Sequence, residues 1–347
     1  MSPKGRPEGE SGPKRVSAEG RPVGPGLDAA PLALPDLAAI RSARERIAPH
    51  VHRTPVMTCR SLDAEVGARL SFKCENFQKI GAFKARGATN AVFALAAGLA
   101  ARGVVTHSSG NHGAALAYAA ARRGIPAWVV MPENAPRVKQ DNVRRQGATI
   151  RFCAPTAAAR EAECALVQVE TGAVLVHPFD NADVIAGQGT AALELLEDAP
   201  GLDVVIAPVG GGGLLSGTAI AAKGAKPGVR VFGAEPANAD DALRSFRSGR
   251  VEPVATTTTI ADGLRTPLCA RTLAAIRAGV DAIGLASEQA IVRAMRMIWE
   301  RMKIVVEPSC AVPLACLLEG TLDAKGRDVG IVLSGGNVDL DHLPWQA

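Results

Sequence analysis

Seven short apolar runs, separated by longer and mostly alanine-rich stretches, confine this chain to one class of architecture. They are Val104–Thr106, Ala127–Met131, Thr149–Cys153, Val174–His177, Val204–Pro208, Val229–Ala234 and Val329–Leu333, and the segment from Ser71 to Cys74 reads as a further strand ahead of them. Short β-branched runs without polar alternation suit strands covered on both faces, and the stretches between most of them have the length and pattern of crossover helices. The spacing therefore predicts an α/β fold in which twisted parallel sheets are flanked by helices and joined by right-handed crossovers. At 347 residues the chain exceeds one typical domain, so two lobes are expected.

Composition narrows the function more than the fold. A net charge of +5 comes from basic and acidic residues mixed along the chain, and a single tyrosine with three tryptophans offers few stacking platforms, so no nucleic-acid partner is expected. No apolar run approaches about 18 residues, and residues 1–26 contain no hydrophobic segment, so neither a membrane partner nor a signal peptide is expected. Cys59, Cys74, Cys153, Cys164, Cys269, Cys310 and Cys316 form no CxxC pair and no zinc-like spacing with histidine. Reduced thiols in a cytoplasmic protein follow. Residues 1–34 are expected to be a disordered tail, because glycine and proline dominate its first part and leave little apolar surface to offset ordering entropy. Order is expected to begin at Pro35-Asp36, with Asp36 capping a helix that carries Leu37, Ile40 and Ile47.

In parallel sheets ligands gather where strands end at their carboxyl side, so the residues after each run carry the functional reading. After the first strand comes Gly81-Ala82-Phe83-Lys84-Ala85-Arg86-Gly87-Ala88, with Lys84 at the mouth of a helix, where the positive end of the macrodipole would favour a neutral amine. After Thr106 comes His107-Ser108-Ser109-Gly110-Asn111-His112-Gly113, leading to a helix expected near Ala114; its small residues could present backbone N–H groups to a carboxylate. After Pro208 come Gly210, Gly211, Gly212 and Gly213, a nest suited to phosphate. After Leu333 comes Ser334-Gly335-Gly336-Asn337. Taken singly, these segments also suit a solvated lysine, an N-cap and tight turns. A dinucleotide fingerprint is the weaker reading, because Leu214, Leu215 or Ser216 stands wherever the G-x-G-x-x-G register needs a later glycine.

Together and in this order, the four segments resemble the pyridoxal-phosphate enzymes of the tryptophan-synthase-β fold type (fold type II). The resemblance covers about Asp36 to Leu340. His107 to His112 and Glu235-Pro236-Ala237-Asn238-Ala239-Asp240-Asp241 make it most similar to the branch of serine racemases and hydroxy-amino-acid dehydratases. It implies a large cofactor-binding domain from residues 35–102 and 182–347, a small domain from 103–181, and a homodimer. It also implies that Lys84 holds the cofactor as a Schiff base, that Phe83 lies against the ring, and that Gly210 to Gly213 with Leu214 bind the phosphate. Asn111 would meet the ring hydroxyl and Ser334 the ring nitrogen. Ser108, Ser109, Asn111 and His112 would receive the substrate carboxylate. Arg160 and Thr266 would lie at the substrate edge, where a cation could pair with a second carboxylate. Glu235, the Ala239 carbonyl and Asp241 match a site for Mg²⁺ or Ca²⁺, with a plain helix start as the weaker reading. One departure is Ala82, where many relatives carry serine.

The implied reaction is dehydration and deamination of a hydroxy amino acid such as L-serine, L-threonine or 3-hydroxyaspartate to a 2-oxo acid and ammonia, with Lys84 as anchor and base. The alternatives are a serine racemase, with Ser109 as the second acid on the opposite ring face, and a non-catalytic metabolite-binding protein.

Overall fold

The computed structural model describes residues 32–108, 110–135, 137–254 and 258–346, so Ser109 and almost all of the expected tail lie outside the described residues. Ten strands are present among them: β1 (Val56–Met57), β2 (Arg69–Cys74), β3 (Val104–His107), β4 (Ala127–Pro132), β5 (Thr149–Cys153), β6 (Val174–Leu175), β7 (Val204–Pro208), β8 (Arg230–Pro236), β9 (Ala282–Ala286) and β10 (Asp328–Leu333). They form a six-stranded sheet in the order β1-β2-β10-β7-β8-β9 and a four-stranded sheet in the order β5-β4-β3-β6. Every neighbouring pair is parallel except β1 with β2.

The chain leaves the larger sheet after β2, builds the smaller one, and returns along the helix Ala182–Asp198 before β7. The last strand then inserts between the first and the middle of the chain: Val329 pairs with Leu70 of β2 on one side and Val204 of β7 on the other. This places the ends of β2, β7 and β10 side by side, although they are far apart in sequence.

Alternation within each strand divides the core. Val104 and Val129 face one layer of the smaller sheet with Leu116 and Met131, while Val105 and Val130 face the other with Cys164 and Val167. In the larger sheet, Phe72, Ile206 and Ile331 pack with Met295, Ile298 and Leu314, and Val205, Val231 and Val332 pack with Leu195, Leu215 and Ile276. Each such side chain contributes about 1.5–3 kcal/mol by leaving water.

The Asp36 helix forms as expected over Leu37–Ile47, with the Asp36 carboxylate accepting the Ala39 N–H and Ile40 and Ile47 buried. Two strands escape the sequence reading: β1 is only two residues long, and β9 is Ala-Ile-Gly-Leu-Ala, with one β-branched residue. The run expected over Val174–His177 stops as a strand at Leu175, which frees His177 from the sheet.

The helix Lys84–Ala94 is fixed from below by buried charges. Arg86 is fully buried and donates to Glu75 at 2.7 Å and to both Glu194 oxygens at 2.8 Å, while the buried Lys73 amine pairs with Glu194 at 2.6 Å. Charges out of water persist only when paired, so β2, the Lys84 helix and the Ala182–Asp198 helix are held in one arrangement. The two helices touch backbone to backbone: a Cβ on Gly187 would stand 2.6 Å from the Gly87 Cα.

Candidate active site

Lys84 is the first residue of its helix, with Phe83 at the N-cap. The preceding segment pairs with the end of β10: Ala82 bridges Gly335, and the Phe83 N–H donates to the Ser334 carbonyl at 3.0 Å. Two segments from opposite ends of the chain thus meet at the lysine. Its amine donates to the Pro178 carbonyl at 2.9 Å and lies 5.2 Å from the centre of the Phe83 ring. Burial pulls the amine down to about 8. Desolvation of the charged form is the cause of this shift.

The tetraglycine lies against Phe179, the residue after the Pro178 that holds the Lys84 amine. The helix that follows runs Gly213–Ala225, with Gly212 as N-cap at φ +85° and no side-chain cap. Of the four glycines only Gly212 has a positive φ; the others are required by contact. A Cβ on Gly210 would meet the Leu264 Cα at 2.8 Å, and one on Gly211 would meet the Phe179 ring at 2.2 Å. An uncapped helix start with bare backbone around it offers N–H groups and the positive end of a dipole to an anion. Leu214 contributes its backbone at this helix start, while its side chain belongs to the core. Ser334, only 3% exposed, sits at the end of β10 beside Phe83.

Asn111 begins the helix Asn111–Arg123, three residues earlier than the sequence suggested, after an N-cap Gly110 without side-chain capping. Its amide donates to Glu307 at 3.0 Å and accepts from Asn337 at 2.8 Å, and Asn337 also donates to the Ile80 carbonyl at 2.8 Å. The Ser108 hydroxyl accepts the Gly110 N–H at 3.2 Å. The His112 side chain is buried, with Nε2 at the Val176 carbonyl (3.1 Å) and burial holding the ring well below the usual imidazole range. Its ring is thus engaged beside the four-stranded sheet, and only its backbone remains at the helix start.

Arg160 is half-buried on the helix Ala157–Thr171, where its charge is felt at His107. Thr266 is exposed, in the segment that follows the turn at Leu264.

Glu235, next to last in β8, accepts the Ala242 and Leu243 N–H groups at 2.7 and 2.9 Å, capping the helix Asp241–Ser248 from a distance. Burial raises its carboxyl to about 8 and that of Asp241 to about 6. Both Asp241 oxygens are buried without a hydrogen-bond partner among the described residues. No cluster of three or more His, Cys, Asp or Glu side chains suited to a metal occurs among those residues, so any cation here would rely on two carboxylates and the Ala239 carbonyl.

Glu307 is the principal residue the sequence reading missed. It is 5% exposed, precedes Pro308 at the start of the helix Pro308–Glu319, and lies so close to Gly335 that a Cβ there would meet its Oε1 at 2.6 Å. A glutamate directly before a helix-starting proline was the available signal.

A part-buried amine with a lowered pKa, a glycine-lined anion nest and the converging ends of parallel strands define a class of enzyme that anchors a phosphorylated aldehyde cofactor on lysine. The chain belongs to the pyridoxal-phosphate dependent enzyme family, which matches residues 47–335. It is 51% identical over 312 residues to a beta-hydroxyaspartate dehydratase of Paracoccus denitrificans, covering 90% of this chain and 99% of that protein. The structure of maize serine racemase superposes with a TM-score of 0.87 at 50% identity, covering 90% of this chain and 96% of that one. The serine racemase of Dictyostelium discoideum superposes with a TM-score of 0.85 at 48% identity, covering 88% and 99%.

Proposed function

We propose that this enzyme catalyses β-elimination from a hydroxy amino acid, releasing a 2-oxo acid and ammonia. The observation that carries the reading is the Lys84 amine, drawn to about 8 by burial beside the tetraglycine and Ser334 segments. The residues fit pyridoxal phosphate: glycine at 210 and 211 lets the loop pack against Leu264 and Phe179, the helix beyond Gly212 is uncapped, and Lys84 has an amine that loses its proton more easily than an ordinary lysine. Lys84 would hold the aldehyde, Gly210 to Gly213 and the Leu214 backbone the phosphate, Ser334 the ring nitrogen, Asn111 the ring hydroxyl, and Phe83 one ring edge.

The bound cofactor supplies an electron sink that acidifies the α C–H of an attached amino acid. Lys84 would take the α proton of the bound amino acid as general base. Departure of the β-hydroxyl as water leaves an enamine, which tautomerises and takes up water to give the 2-oxo acid and ammonia. The uncapped start of the Asn111 helix and the Ser108 hydroxyl would hold the substrate carboxylate, with Arg160 and Thr266 at the rim. Glu235, the Ala239 carbonyl and Asp241 would hold Mg²⁺ or Ca²⁺, a reading supported by the two unpartnered Asp241 oxygens. A homodimer in the cytoplasm, built from lobes 35–102 with 182–347 and 103–181, belongs to the same proposal.

Racemisation is the second reading, favoured by the likeness to serine racemases, and it needs a second acid, assigned to Ser109. Coupled assays of 2-oxo acid against chiral analysis of serine separate the two. Elimination predicts 2-oxo acid as the main product, and Ser109→Ala should abolish inversion while elimination survives. D-serine accumulating faster than pyruvate would replace this proposal with the racemase.

A further inference from the structure

The turn at residues 177–180 and the start of the helix Ala270–Gly279 both touch the glycine nest, each through one residue, and they touch each other through the residue next to it. Phe179 packs on the nest: a Cβ on Gly211 would stand 2.2 Å from its ring, and one on Gly213 would stand 3.0 Å from its Cβ. Thr272 packs on the glycine between them, where a Cβ on Gly212 would stand 2.8 Å from the Thr272 Cβ. The neighbours of these two residues, Asp180 and Arg271, form an ion pair at 2.7 Å. No step of the proposed reaction uses that pair.

The turn is tied down on both sides of the pair. His177 Nδ1 accepts the Asp180 N–H at 2.9 Å and the Phe179 N–H at 3.4 Å, and Asn181 caps the helix Ala182–Asp198 by accepting the Val184 N–H at 3.0 Å. Within the same turn Pro178 presents its carbonyl to the Lys84 amine at 2.9 Å. One short segment therefore connects the ion pair, a face of the nest and the lysine. The titratable rings that feel the Lys84 charge are His112 and His177, and burial keeps both neutral. Arg271 also donates to the Ala33 carbonyl, which fixes its guanidinium from a third direction. The pair is too open to water to serve the fold, since its side chains keep 21% and 41% of their accessible surface and pairs so exposed contribute little to stability. By charge alone a carboxylate next to an anion site is unfavourable.

We propose that Asp180 and Arg271 are positioning residues: their ion pair holds Phe179 and Thr272 at a fixed separation, and so sets the width of the glycine nest for the cofactor phosphate and the place of the Pro178 carbonyl that receives the Lys84 amine. This role rests on the assignment of the nest to the phosphate, and it is independent of which amino acid reacts.

The test uses the whole chain, as holoenzyme and after removal of the cofactor, with Asp180→Ala, Arg271→Met and the double variant. The Kd for pyridoxal phosphate, read by visible absorbance, should rise at least about fivefold in each single variant and no further in the double variant than in the worse single one, as expected of groups that act as a unit. Arg271→Lys, which keeps a donor for Asp180, should recover most of the affinity. Asp180→Ala is decisive, because removing a negative charge next to an anion site tightens binding if charge alone matters. The pH at which cofactor capture levels off, about 8 for the wild-type Lys84, should rise in both single variants as water reaches the amine. Tighter cofactor binding by Asp180→Ala, additive losses in the double variant or an unshifted capture profile overturns the proposal. A lowered Tm with an unchanged Kd also overturns it, since the pair would then brace the fold and nothing more. A wild type that holds the cofactor more tightly than the variants but releases no ammonia from any hydroxy amino acid upholds the role of the pair and sinks the elimination reading instead.

Discussion

An amine drawn to about 8 is roughly one-tenth neutral at pH 7, whereas an ordinary lysine is neutral to about 0.03%. Lys84 therefore gains a few hundredfold in reactive amine from burial alone. Because its pKa is lowered, the reactive form grows as pH rises and levels off above about 8. Capture of added pyridoxal phosphate by cofactor-free protein, followed by visible absorbance, should accelerate nearly tenfold per pH unit below that point and then flatten. A rise that continues to pH 10 would mean the amine is solvated. Lys84→Ala should remove the absorbance and lower elimination by about a hundredfold or more, the usual worth of a positioned base. Borohydride reduction and peptide mapping should find the cofactor on Lys84, and recovery on Lys73 or Lys79 would refute the assignment.

The elements that carry these residues are held by two different buried charge arrangements. At the Lys84 helix, two cations and two carboxylates satisfy one another: Lys73, Arg86, Glu75 and Glu194. Glu194→Gln keeps the shape but leaves both cations short of a partner, at an expected cost of about 3–5 kcal/mol by urea denaturation. A loss below about 1 kcal/mol would mean that water reaches the cluster. At the Asp241 helix the balance is reversed, since Glu235 and Asp241 are buried carboxylates with no cation bonded to either among the described residues. A bound divalent ion at a hundredfold excess over its Kd would add about 2.7 kcal/mol to the folded state. Chelator should thus lower the Tm of the holoenzyme and Mg²⁺ restore it, while Asp241→Ala should respond to neither. An unaltered wild-type melting curve would leave Glu235 as a helix cap and nothing more.

At the scale of the whole molecule, local chemistry is legible in the sequence, and contacts between distant segments are not. Lys84, the tetraglycine and Ser334 were found because each follows a recognisable strand, and the parallel sheets follow from the same alternation. Nothing local to Glu307 announces that it will meet Asn111, and nothing local to Ile80 announces a β-branched residue at φ +57°. Both depend on how β10 inserts beside β2 and brings Asn337 to the loop before Lys84. Asn337, which follows β10 of the six-stranded sheet, then joins Ile80, packed against the core of the four-stranded sheet, to Asn111, which starts the helix after β3. The turn it braces is costly, about 1–3 kcal/mol for a residue held in the left-handed region. Asn337→Ala removes both hydrogen bonds and should cost about 1–2 kcal/mol. If the asparagine works as a link between the two segments, its loss should also speed amide hydrogen exchange at residues 80–85 and at the start of the Asn111 helix together, and raise KM for the amino acid more than it lowers kcat. Faster exchange confined to residues 80–85 would show that Asn337 braces one turn and leaves the relative setting of the two sheets to other contacts.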